Sequence, residues 1–191
     1  AKHGAAAALL QGDHLLTAAY NLIARTKCWP LVELFAKVGE KTVAGEKLQA
    51  LSRGKKISLE KNQAILEGKT GELFGFSMAI RPMLENNPNA HKYYLLGRRL
   101  GALYQMLDDV IDYCPNAKSG KPPYQDYKQH KWTWPLLALD RPTFDLSLDD
   151  LHTRLFASSH SDEPSALRRE FRRLEAQHLQ FKQEASDLCG D

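Results

Sequence analysis

The stretch Gln105-Met106-Leu107-Asp108-Asp109-Val110-Ile111-Asp112-Tyr113 sets three carboxylates close together inside an otherwise apolar helical run. At helical spacing Gln105, Asp108 and Asp112 follow one another about a turn apart on one face. Asp109 is rotated from Asp108 by about 100°. Carboxylates this close repel one another and weaken a helix unless something offsets them. The flanks are apolar: Leu95, Leu96, Leu100, Leu103, Leu107 and Ile111. Such a helix either buries its apolar stripe and opens its acidic end into a cavity, or carries its acids as a solvated face or a cap. The cavity alternative suits Mg²⁺, which takes one or two carboxylates, keeps several waters and fills its other positions with substrate phosphates.

The rest of the chain reads as helix. No period-two run of β-branched residues persists, and apolar residues recur at helical spacing through most of the sequence. The first helix is expected over about 4–26, with Leu9, Leu15, Leu16, Tyr20 and Ile23 apolar. A break near Cys28-Trp29-Pro30 leads to a second helix over about 30–52. After the basic loop Arg53-Gly54-Lys55-Lys56, Ser58 caps a third helix running to about Leu84. The turn cluster Glu85-Asn86-Asn87-Pro88-Asn89 precedes the acidic helix, which ends near Tyr113. A loop over 116–123, a short helix over 134–139 and a charged amphipathic helix over 165–188, with Leu167, Phe171, Leu174 and Leu179 on one side, complete the pattern. The expected architecture is all-α, one helical domain over residues 1–191.

Composition narrows the function classes. Hydrophobic residues make up 43% of the 191, as in a globular chain. The net charge of +3 gives no basic surface of the kind nucleic acid demands. Cys28, Cys114 and Cys189 are scattered without metal-ligand spacing, which favours free thiols in a reducing, cytoplasmic setting. The apolar run over 4–10 is too short for a membrane span and lacks the layout of a signal peptide. The chain begins at Ala1 and enters a helical pattern almost at once, without an N-cap residue, so further sequence is expected upstream.

Three other groups carry chemistry. Gly68-Lys69-Thr70-Gly71 falls inside the third helix, where two glycines cost roughly 1 kcal/mol each against alanine. A local kink or close helix packing would explain them, and the lysine and hydroxyl at that break could face a phosphate. The alternative is an exposed Lys-Thr pair beside packing glycines. Gly120-Lys121 and Lys131-Trp132-Thr133-Trp134-Pro135 follow the acidic helix closely, as diphosphate ligands, as balancing charges or as an ordinary basic loop. Asp13 sits in the middle of an apolar helix and, if buried, needs a partner.

In order, Gly12-Asp13, Gly45-Glu46, Gly68-Lys69-Thr70, Gly97, the run 101–112, Gly120-Lys121 and Lys131-x-Thr133-x-Pro135 resemble the trans-isoprenyl diphosphate synthases, the polyprenyl synthetase family. The resemblance covers about residues 4–140. It implies an isoprenoid-synthase-like bundle of antiparallel helices around a central cavity. It also implies a Mg²⁺-dependent prenyltransferase that joins isopentenyl diphosphate to an allylic diphosphate, and a homodimer or heteromer. By that resemblance Gln105, Asp108, Asp109 and Asp112 form the second aspartate-rich motif. Asp108 would be a direct Mg²⁺ ligand, with Asp109 in the same metal set and Asp112 acting nearby or through water. Lys69, Thr70 and Lys121 would hold the allylic diphosphate. Tyr104 would stand beside the isopentenyl group, and Lys131 would support the acidic motif at the mouth. Lys69, Gln105 and Asp108 are the expected catalytic residues. The family's first aspartate-rich motif, DDxxD followed by paired arginines, has no counterpart before Gly12. The domain is therefore expected to be incomplete at its N-terminus relative to the family. A catalytically silent partner subunit and a class I terpene cyclase stay open as alternatives.

Overall fold

The computed structural model describes residues 4–114, 120, 122–139, 142–156 and 166–189, apart from several side chains of 166–189. Among them every regular element is helical: α1 (Gly4–Arg25), α2 (Trp29–Leu51), α3 (Leu59–Leu66), a π turn (Glu67–Gly71), α4 (Glu72–Leu84), α5 (Ala90–Asp112), α6 (Gln125–Lys128), α7 (Trp134–Leu137), α8 (Leu148–Phe156) and α9 (Ala166–Cys189). Lys121 and most of the 116–123 loop lie outside the described residues. So do the side chains of Leu167, Phe171 and Leu174, on which the amphipathic reading of α9 rested.

Local chemistry sets the helix boundaries. Pro30 occupies the first turn of α2, where its missing N–H costs nothing. The Ser58 hydroxyl accepts the Lys61 N–H at 3.2 Å and caps α3 as its sequence suggested. The helix expected to run unbroken to Leu84 is instead interrupted by the π turn, although the backbone on both sides stays helical. Both glycines of that turn lie against other helices. A Cβ on Gly68 would come within 3.1 Å of Gly45 Cα, and one on Gly71 within 2.8 Å of the Arg98 carbonyl oxygen. The turn is thus wedged between α2 and α5 at backbone contact, which only glycine permits.

α4 and α5 pack side by side over their length. Their core with α2 holds Leu31, Val38, Phe76, Ala79 and Tyr94. A second core encloses the C-terminal end of α5: Val110, Tyr113, Tyr127, Trp132, Leu136, Leu151 and Leu155. The last two belong to α8, an element not anticipated from the sequence. Leu66, Ala102, Met106 and Trp134 form a third cluster. α1 departs from expectation. None of its residues is buried, and Leu9, Leu15 and Leu16 are exposed, although Tyr20 packs edge-on against Phe35. Asp13 is exposed as well, so the buried acid expected there does not exist.

Candidate active site

The acidic end of α5 opens onto a cleft of about 430 Å³. Asp108, Asp109, Asp112 and Gln105 line it from α5, Lys69 from the π turn, Gln49 from α2, and Asp126 and Lys131 from the segment around α6. Most of the residues singled out above therefore meet in one space.

The three carboxylates of α5 occupy different environments. Asp108 is exposed and, among the described residues, accepts a long hydrogen bond of 3.4 Å from Gln105 Nε2. Asp109 is only 4% exposed and accepts a hydrogen bond from the same nitrogen at 3.1 Å. Burial, reinforced by the charge of Asp126, pushes its carboxyl up to about 7, against the opposing pull of Gln105 and Lys69. Asp112 caps α6. Its two carboxylate oxygens accept the N–H groups of Gln125 (3.1 Å) and Asp126 (2.9 Å), and its carbonyl accepts that of Tyr124 at 2.7 Å. Half-burial raises its pKa, and those backbone donors hold it back. Tyr124, which starts this cap, has a left-handed backbone (φ 62°) and is held by a 2.7 Å hydrogen bond between its hydroxyl and His152 Nδ1.

The cations face these acids from two sides. Lys131 Nζ pairs with Asp126 Oδ1 at 2.7 Å, both side chains 17% exposed. Lys69 Nζ donates to Gln49 Oε1 at 3.1 Å and lies 3.6 Å from Glu46 Oε1. Gly45 brings α2 this near, since a Cβ there would come within 2.6 Å of the Lys69 backbone nitrogen. Thr70 Oγ1 donates to Gln105 Oε1 at 2.7 Å. Gln105 thus has its carbonyl fixed by the π turn and its amino group turned to Asp108 and Asp109.

The donor set fits a hard divalent cation. Four carboxylates line the cleft (Asp108, Asp109, Asp112, Asp126) against two ammonium groups (Lys69, Lys131), which leaves negative charge in excess. Among the described residues no thiol or imidazole lines it. Among the described residues no three Asp, Glu, His or Cys side chains are grouped so that they could hold a metal ion by themselves. Mg²⁺ has little need of such a group, because waters and phosphates supply most of its shell.

Two expected site residues, Tyr104 and Thr70, do not line the cleft, and Thr70 reaches it only through Gln105. Tyr104 is 57% exposed and stacks on Phe74 at 5.5 Å, outside the cleft. Lys121 lies outside the described residues. Asp126 and Gln49 were not foreseen. Asp126 is a single acid in the short helix α6, marked only by its distance from Lys131, and Gln49 is one polar residue on an amphipathic helix.

The sequence pattern of the polyprenyl synthetase family matches residues 1–153. The chain belongs to that family. It is 30% identical over 141 residues to the octaprenyl diphosphate synthase of Haemophilus influenzae, covering 72% of this chain and 43% of that protein. A solved geranylgeranyl pyrophosphate synthase superposes with a TM-score of 0.68 at 18% identity, over 96% of this chain and 57% of the other. A polyprenyl synthase from Caulobacter crescentus, solved with calcium and isoprenyl diphosphate, superposes at 0.63 and 24% identity, over 95% of this chain and 55% of the other. At these identities the superpositions establish the fold, that of the isoprenoid synthases. The chain spans about half the length of the curated relatives it matches.

Proposed function

We propose that this chain is the diphosphate-holding part of a Mg²⁺-dependent trans-prenyl diphosphate synthase, which extends an allylic diphosphate with isopentenyl diphosphate. The observation that carries the reading is the convergence of Lys69 and Gln105 with Asp108, Asp109 and Asp112 on one cleft, with Thr70 holding Gln105 from behind. The names of the relatives, prenyl diphosphate synthases of several kinds, support it.

In this reading Asp108, whose oxygens are the least occupied, is the direct Mg²⁺ ligand, and Asp109 joins it once deprotonated. Asp112 acts through water while it caps α6. Bound there, Mg²⁺ would supply charge neutralisation for the diphosphate that leaves as the allylic carbon–oxygen bond breaks. Lys69 and Thr70 take the diphosphate oxygens in exchange for Gln49, Glu46 and Gln105. Lys121 joins them from the loop beyond α5. Lys131 holds Asp126 in place and balances the acidic wall. The isopentenyl double bond attacks the allylic carbon, and the departing diphosphate takes the proton that is then lost. Tyr104 and Phe74 offer an aromatic surface beside this space for the isopentenyl group.

The exposed leucines of α1 support assembly with a second subunit, a homodimer or a heteromer. The free thiols Cys28 and Cys114 support a cytoplasmic setting. No helix among the described residues is long and apolar enough to cross a membrane. The described carboxylates of the cleft come from the α5–α6 side, so turnover requires a second acidic wall from elsewhere. Calorimetric titration with inorganic pyrophosphate, with and without Mg²⁺, tests the reading in wild type, Asp108→Ala and Lys69→Met. Mg²⁺-dependent binding weakened by about 1–3 kcal/mol in each variant is expected. Equal affinity in all arms refutes it. Radiolabelled isopentenyl diphosphate with an allylic primer should give no elongated product from this chain alone.

A further inference from the structure

The π turn presents Lys69 to the cleft and holds Gln105 through Thr70, and a single guanidinium straddles its other side. Arg98 of α5 donates from Nη2 to Glu67 Oε2 at 2.7 Å. Its Nε lies 2.9 Å from Glu72 Oε1, as an ion pair off the hydrogen-bonding line. Glu67 and Glu72 are the two residues joined by the five-residue backbone bond that defines the turn, the Glu72 N–H donating to the Glu67 carbonyl. In an α-helix, residues five apart point about 140° away from each other. In a π turn the fifth residue sits one turn above the first. A rigid planar fork that holds both carboxylates therefore favours π over α register.

Neighbouring contacts fix the carboxylates in this arrangement. Glu72 is 2% exposed and is also bound by the Tyr94 hydroxyl and by Lys41 Nζ at 3.3 Å. Glu67 Oε1 accepts Gln63 Nε2 at 2.8 Å. The Arg98 carbonyl oxygen lies against Gly71 itself. Losing the extra residue of the turn would rotate α3 against α4 by about 100°, enough to take Lys69 out of the cleft or Thr70 off Gln105.

We propose that Arg98 is a positioning residue: by clasping Glu67 and Glu72 it holds the chain in π register and so aims Lys69 at the carboxylate cleft and Thr70 at Gln105. The functional consequence rests on the diphosphate reading above; the register itself does not. Arg98→Met alone would leave Glu72 buried beside an unfilled partner, so the decisive variant is Arg98→Met with Glu67→Gln and Glu72→Gln. That combination keeps volume and removes the unpaired charge. Two measurements are made on it. Its crystal structure should show residues 67–71 in α register. Pyrophosphate titration with Mg²⁺ then completes a double-mutant cycle with Lys69→Met. In the wild-type background Lys69→Met should weaken binding about 10- to 100-fold. In the triple variant it should change binding by less than about threefold, because the lysine no longer faces the ligand. Arg98→Lys keeps the charge without the fork and should behave as the triple variant does. A π turn that persists without Arg98, or a Lys69→Met penalty of equal size in both backgrounds, overturns the proposal. Wild type that binds no pyrophosphate refutes the diphosphate reading instead, and the register in the crystal still decides the clasp.

Discussion

Replacing Asp109 by Asn should flatten the pH dependence of stability in the metal-free chain. The Asp109 carboxyl is 4% exposed, and its pKa is raised from 3.8 to about 7, first by burial and then by the neighbouring charge of Asp126. The folded state therefore holds the proton more tightly than the unfolded chain does. The stability this gives is fully present below the unfolded value and is lost as pH rises through about 7. With about 1.4 kcal/mol per unit, the full span corresponds to about 4 kcal/mol, of which about 3 kcal/mol falls between about pH 5 and pH 8. Asn matches the protonated carboxyl in shape and can accept the Gln105 hydrogen bond, but does not titrate. Urea denaturation at fixed ionic strength, with divalent cations chelated, measures the difference. Wild type should lose about 3 kcal/mol more than Asp109→Asn across that interval, while histidines and other acids cancel between the two. Addition of Mg²⁺ at the upper pH should restore wild type preferentially, since the metal competes with the proton. An identical pH slope in the two proteins refutes the reasoning.

Asp112→Ala removes both acceptors at the start of α6 and should cost about 1–2 kcal/mol, with faster amide exchange at Gln125 and Asp126; unchanged exchange there would reject the cap. Gly97→Ala would set a methyl 2.6 Å from the Phe74 carbonyl oxygen and 2.7 Å from Gly75 Cα, backbone atoms that cannot step aside. Its urea midpoint should fall by the equivalent of about 1–3 kcal/mol, and an unchanged midpoint would mean that α4 and α5 pack less closely than described.

The parts of this molecule legible in sequence are those with long periodic signals. α1, α2 and α5 end within a few residues of where their capping residues and breaks place them. Gly68 and Gly71 announced an irregularity, and the fold supplies a π turn in close packing against α2 and α5. Its register was hidden, because one extra residue in a single turn does not disturb an apolar period spread over 25 or so positions. α8 escaped because its two buried leucines, Leu151 and Leu155, form one contact stripe in nine residues flanked by acids. Asp13 was misread for the opposite reason. A stripe of leucines predicts that a helix has an apolar face, but not that anything within this chain covers it.

The three aspartates of α5 show most directly what spacing does and does not determine. Their separation placed them at one end of one helix, and they are there. It could not divide the work among them, because that depends on which lone pairs are already occupied. Asp108 and Asp112 lie a turn apart on the same face, yet Asp112 has both oxygens engaged by the α6 backbone, and Asp108 has one long contact to Gln105. The donors that claim Asp112 come from residues 125 and 126, beyond a loop whose course no helical period encodes. Asp109 lies to the side, and there it meets burial and the charge of Asp126, again from across the loop. The same helix therefore presents one exposed carboxylate, one whose carboxyl burial and Asp126 push up to about 7, and one that fixes the opposite wall. The proposed metal site would be assembled by the segment that folds back onto the helix, and the segment 124–131 should be as sensitive to substitution as the acids themselves.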